Sequence, residues 1–119
     1  MENQEAKTPK QFLEDVLPKN FKPEKAAGFD VIAQLNLTGP NGGNWILTLK
    51  NQVLTVTQGT HPAPSLTLTI LDSDFMDMVN GRIGTTQAFF SGKIHLIGNL
   101  LLALKLRDAG LLDFGKKIG

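Results

Sequence analysis

From Val31 onward, apolar and polar positions alternate with a period of two. Val31, Ala33, Leu35 and Leu37 interleave with Ile32, Gln34, Asn36 and Thr38, the pattern of a strand with one face turned to a core. Trp45, Leu47 and Leu49 repeat it after Gly39-Pro40-Asn41-Gly42-Gly43, which reads as a hairpin loop. A third run starts at Val53, just past Lys50-Asn51-Gln52. A fourth places Leu66, Leu68 and Ile70 against Thr67 and Thr69, behind Pro62-Ala63-Pro64. Residues 92–97 alternate once more, with Ile94 and Leu96 on one face and Lys93 and His95 on the other. Polar outer faces predict a sheet covered on one side only.

The flanks follow a helical period. Thr8 can cap, Pro9 suits a first helical position, and Phe12, Leu13, Val16 and Leu17 form an apolar stripe that Pro18 is expected to end. A short turn over 23–27 closes at Gly28. After Leu71 the period changes again. Asp72 or Ser73 can accept from a free amide at a helix start, and Asp74 adds favourable negative charge there. Phe75, Met78 and Val79 make a short apolar face that Gly81 can stop. Residues 85–90 read as another short helix, and Gly98-Asn99 opens a terminal helix over 100–112. Residues 1–8 are expected to be disordered, and 9–119 to form one domain.

The terminal helix carries more apolar surface than one stripe requires. At about 100° per residue, Leu100, Leu104 and Leu111 share a line, Leu101 and Leu112 lie to one side, and Leu102 and Leu106 fall on the far side. Either this helix is buried between the sheet and the N-terminal helices, or helices and sheet fail to close and leave an apolar tunnel. Met76, Met78 and the pair Phe89-Phe90 would give such a tunnel an adaptable wall. The pattern alone admits both arrangements.

Composition narrows the chemistry. A chain of 119 residues is the size of one domain. Its 41% hydrophobic and 19% charged residues suit a packed core. Twelve basic against eleven acidic residues, a formal net of +1, give no footprint for nucleic acid. Cysteine is absent, which removes disulfides, thiolate metal sites and cysteine nucleophiles. His61 and His95 are isolated, and Asp72, Asp74 and Asp77 read as capping and solvated residues rather than a carboxylate site. Gly39–Gly43 lacks the Gly-Lys-Ser/Thr of a phosphate loop, and no serine sits in a G-x-S-x-G elbow. No run of ~18 apolar residues could span a membrane. A non-catalytic cytoplasmic protein without cofactor or metal is the expectation.

Residues 65–106 resemble the sterol carrier protein type-two domain family. The resemblance rests on Leu66-Thr67-Leu68-Thr69-Ile70, Asp72-Ser73-Asp74-Phe75, Gly81-Arg82-Ile83, Gln87-Ala88-Phe89-Phe90-Ser91-Gly92-Lys93-Ile94, Gly98-Asn99 and Leu104-Lys105-Leu106, in the family's order and spacing. It implies an α+β fold, a five-stranded, mostly antiparallel sheet with helices on one face enclosing an apolar tunnel. It also implies binding and transfer of a sterol, fatty acid, acyl-CoA or phospholipid. Phe89, Phe90, Ile94, Leu100, Leu101 and Leu104 are then placed near the ligand, and Trp45 matches the family's tryptophan on the second strand. Leu35, Leu47, Phe75, Met78 and Thr86 complete the expected set. Thr86 stands where some relatives have glutamine, and Leu104 where others have glutamine or methionine, which favours a less polar ligand. Transient membrane contact and weak homodimerisation are further expectations. An alternative is an accessory protein presenting an isoprenoid or acyl intermediate to a partner enzyme.

Overall fold

The alternating runs form one sheet in the computed structural model, which describes residues 8–28 and 30–108. Its strands are β1 (Val31–Thr38), β2 (Gly43–Lys50), β3 (Val53–Gln58), β4 (Leu66–Leu71) and β5 (Ile94–Gly98), in spatial order β3-β2-β1-β4-β5. β1 runs parallel to β4, and every other neighbour is antiparallel. Register puts the apolar sets on one face: Leu35 lies opposite Trp45 and Leu68, Leu47 opposite Ala33 and Val56, and Leu68 opposite Leu96. The expected α+β architecture, a five-stranded, mostly antiparallel sheet with helices, is the observed one. Strand β5 starts two residues later than the alternation suggested, because Gly92 has a φ of 84° and the Lys93 amide is bonded back to the Ala88 carbonyl.

Two turns set the hairpins. Between β2 and β3, Asn51 and Gln52 both have positive φ, 52° and 64°, the geometry of the two-residue turn whose twist matches paired strands. Between β1 and β2, the Gly42 amide bonds to the Gly39 carbonyl. Gly39 has a φ of 100°, and the Asp72 carboxylate packs where its Cβ would stand. Only glycine suits that position.

The helices cover the apolar face. The N-terminal stretch over 9–20 comprises α1 (Pro9–Gln11), a π-turn over Phe12–Val16, and α2 (Leu17–Asn20). Thr8 caps it through a hydroxyl that accepts the Gln11 amide at 3.1 Å. Pro18 does not end the helix, contrary to expectation. A proline lacks the N–H that would reach the carbonyl four residues back, and its ring collides with that carbonyl. Here the preceding turn widens, with the Leu17 amide bonded to the Phe12 carbonyl five residues back, so the chain passes through Pro18 and extends only at Phe21. A 3-10 turn, Pro23–Ala26, follows, and Gly28 adopts a φ of 92°.

Helix α3 (Asp72–Val79) and helix α4 (Thr85–Phe90) lie where the pattern placed them. Neither Asp72 nor Ser73 caps α3 in the expected way; Leu71 holds the cap position without a side-chain bond. Asp72 is instead buried, and its carboxylate accepts the Asn41 and Ser73 amides, each at 2.7 Å, tying the helix to the β1–β2 loop. Helix α5 (Leu100–Asp108) opens on Asn99, whose side chain accepts the Leu101 amide at 2.9 Å. The expected continuation to 112 and the expected disorder over 1–7 lie outside the described residues.

The outer sheet face is less open than alternation implies. Gln34 is 2% exposed because the segment after β3 folds over it. Its Nε2 donates to the Gly59 carbonyl at 3.0 Å and to Asn36 Oδ1 at 3.0 Å, and its Oε1 accepts the His61 amide at 2.7 Å. A buried amide with every group bonded is a specific strut. His95 lies exposed on the outer face, as its register predicted.

Candidate functional site

The sequence-derived ligand set falls into two groups in space. Leu35, Trp45 and Leu47 from the sheet, Phe75 and Met78 from α3, and Ile94 from β5 belong to one continuous buried core. Phe12 from the π-turn meets Phe75 edge-on, with ring centroids 5.9 Å apart. Thr86, Phe89, Phe90, Leu100, Leu101 and Leu104 are exposed. The division follows from helix geometry. Helix α4 turns Ala88 into the core, so its neighbours Phe89 and Phe90 face outward, packed edge-on against each other at 5.5 Å. Helix α5 buries Ala103 and Leu106, with Leu102 half-buried beside them, and packs on the Pro23–Ala26 turn.

The opposite flank of α5 has no cover among the described residues. Leu100 is 50% exposed, Leu101 68% and Leu104 38%, and Phe90 on α4 reaches 80%. Side chains three and four apart share one helix face, so the three leucines form one apolar strip. A grouped apolar strip of this kind is a candidate surface for an apolar partner. Among the described residues, α5 is thus covered on one flank and open on the other.

A polar clasp lies at the other end of the core. The Trp45 indole is 2% exposed, and its Nε1 donates to Glu14 Oε2 at 3.2 Å, while Lys10 Nζ donates to Glu14 Oε1 at 2.8 Å. The Lys10 bond first, then the Trp45 bond, hold the Glu14 carboxyl below its ordinary range. A depressed carboxylate contributes to stability above its unfolded value and loses that contribution as pH falls through its folded one. Fluorescence of Trp45, the chain's single tryptophan, is therefore expected to change below about pH 4.5, and Glu14→Gln to abolish that transition. A titration identical in the variant would contradict the assignment.

Sequence reasoning did not find Glu14 or Gln34. Glu14 interrupts the apolar run of Phe12, Leu13, Val16 and Leu17; its spacing of four from Lys10 is the available signal. Nothing local marks Gln34, since its partners are 11 to 27 residues away apart from Asn36. Among the described residues no group of three or more His, Cys, Asp or Glu side chains could hold a metal. None of their helices is long and apolar enough to cross a membrane. A polar hollow of about 290 Å³, lined by Ala26, Gly28, Asp30, Asn51 and Gln52, lies away from the apolar set.

Comparison with known proteins places this geometry. Hydroxysteroid dehydrogenase-like protein 2 of Mus musculus is 30% identical over 92 residues, covering 76% of this chain and 19% of that protein. The chain thus spans about a fifth of that relative. The solution structure of the sterol carrier protein domain 2 of Helicoverpa armigera superposes with a TM-score of 0.70 at 27% identity, covering 96% of this chain and 98% of the other. The solution structure of palmitated SCP2L2 from Aedes aegypti gives a TM-score of 0.57 at 31% identity over 82% of each chain. The profile of the SCP-2 sterol transfer family matches residues 10–109, the span that builds the sheet, its helical cover and the leucine strip, and the chain is a member of that family.

Proposed function

We propose that this protein binds a single lipid with a long apolar chain and carries it, without chemistry of its own, between the inner sheet face and the terminal helix. The observation that carries this reading is the split on α5: Ala103 and Leu106 are buried while Leu100, Leu101 and Leu104 stay in water. A helix apolar on both flanks has one flank to give to a ligand. Family membership and a palmitated structure of the same fold support the same class of guest. Thr86 and Leu104 offer little polarity, which favours a fatty acyl or isoprenoid chain over a strongly polar ligand.

The magnitudes suit a carrier. Burying about twelve methylenes at ~0.8 kcal/mol each yields roughly 10 kcal/mol gross. Association and ordering costs bring the net towards about −8 kcal/mol, a micromolar affinity. Such a complex holds its guest and also releases it. In this reading the leucine strip makes transient contact with a membrane surface during release, supports only weak self-association, and works in the cytoplasm. A second reading, presentation of a hydrophobic intermediate to a partner enzyme, draws on the mouse relative, in which the matching segment is a minor part of a larger chain.

Native mass spectrometry of the purified protein, followed by lipid extraction, tests the proposal. One co-purifying lipid per chain is the expected result, with micromolar rebinding of a fluorescent fatty acid after delipidation. A lipid-free protein that takes up no such probe would overturn it. A stable enzyme complex on pull-down favours the second reading.

A further inference from the structure

The inner sheet face is roofed by helices of unequal build. Helix α3 is regular, and Asp72 at its start is bonded to the β1–β2 loop. The stretch over 9–20, which packs against β3, changes to π hydrogen bonding over Phe12–Val16 and carries Pro18 inside it. Widened turns and internal prolines remove regular helical bonds and soften a helix at defined points. At its far end the stretch leaves through two extended residues, Phe21 (ψ 139°) and Lys22 (ψ 98°), which suit a pivot. The next turn, Pro23–Ala26, is held by α5.

Glu14 sits in the π-turn and spans from this stretch to the sheet. Its partner Trp45 is buried, and a buried indole N–H requires an acceptor. Glu14 itself lies at the surface, so its carboxylate can hydrate once the bond opens. The contact is therefore asymmetric: opening costs the indole its partner and costs the carboxylate little. The stretch thus meets Trp45 through Glu14 and Phe75 through Phe12, two members of the expected ligand set.

We propose that Glu14 and Trp45 form a latch holding the N-terminal helical stretch over the inner sheet face, and that the stretch pivots at Phe21–Lys22 to admit the apolar chain of a lipid. The latch rests on the lipid-binding reading above and adds the route and the residue pair that set the rate. It governs how fast a guest enters and leaves; the apolar walls govern how tightly it stays.

Stopped-flow uptake and release of a pyrene-labelled fatty acid by the full chain test it. Glu14→Ala is expected to raise both rate constants about fivefold, the scale of one hydrogen bond, while Kd moves less than about twofold. Trp45→Phe removes the donor and is expected to raise the uptake rate constant by a similar factor; as a buried member of the expected ligand set, it changes Kd as well. The double variant is expected to be no faster than either single, since both remove one interaction. Asp15→Ala, an exposed neighbour on the same turn, is the control and leaves the rates unchanged. Wild-type binding with unaltered rates in Glu14→Ala, or fully additive effects in the double variant, would overturn the latch while leaving lipid binding standing. A wild-type chain that takes up no probe overturns the lipid-binding reading instead, and leaves the latch no guest to admit.

Discussion

Deletion of residues 99–119 is expected to abolish fatty-acid binding while the far-ultraviolet signature of the sheet persists. Helix α5 follows β5 through Asn99, packs on the Pro23–Ala26 turn, and belongs to none of the strand ladders. Its loss removes one wall of the proposed site without unpairing any of the four strand ladders. At about 25 cal/mol per Å² of apolar surface, the wall supplies a large part of the gross affinity, so binding should weaken at least tenfold. Fluorescence titration with the fatty-acid probe reads the first effect and circular dichroism the second. A companion variant replaces Leu100, Leu101 and Leu104 with serine. These side chains are exposed, so stability should change little while affinity falls. Unchanged affinity in both proteins would remove α5 from the site and, with it, the reading of its leucines.

Phe75→Ala is expected to be the most destabilising single substitution in the ligand set. Phe75 is fully buried and joins α3 to the π-turn through its edge-on contact with Phe12. Truncating a buried phenylalanine costs about 3–5 kcal/mol, a large share of the roughly 5–15 kcal/mol that holds a domain of this kind folded. Thermal unfolding should therefore shift down by about 10–20 °C. Because Phe75 also lines the proposed site, saturating fatty acid is expected to restore part of the loss in the variant by filling the space left behind. A shift under about 3 °C would show that the core closes over the gap and that Phe75 is not a keystone of it.

These two expectations rest on different kinds of legibility. The burial of Phe75 was readable, since Phe75, Met78 and Val79 form a helical stripe and a stripe must meet something apolar. The exposure of Leu100, Leu101 and Leu104 was not. All the leucines of α5 look alike in sequence, and only the docking of Ala103 and Leu106 on the rest of the fold separates the buried flank from the open one. The expected ligand set was drawn as one cluster; in the structure six members are core and six are surface.

Local chemistry accounts for what could be read directly. Alternation placed all five strands and, for all but β3, the face each turns inward, because side chains of an extended chain point to opposite sides at successive residues. Turn glycines and proline marked the β1–β2 hairpin, and α4 fell on the predicted residues 85–90. Pro18 misled for a related reason. The rule that proline ends a helix assumes a regular preceding turn, and packing of Phe12, Leu13 and Leu17 on the sheet favours a π-turn that escapes it.

By itself, then, the sequence determined the elements, their apolar faces, the absence of cysteine chemistry and the excess of leucine near the C-terminus. Tertiary structure alone decided the parallel pairing of β1 with β4, the burial of Gln34 beneath the segment after β3, the bond from Glu14 to Trp45 and the flank of α5 that stays in water. The physical reason is range. Period and propensity act over a few residues and state that a face must be covered, while the identity of the cover depends on groups 25 to 33 positions away, as with Gln34 and Gly59 or Ile32 and Ser65, which meet only once the chain has folded.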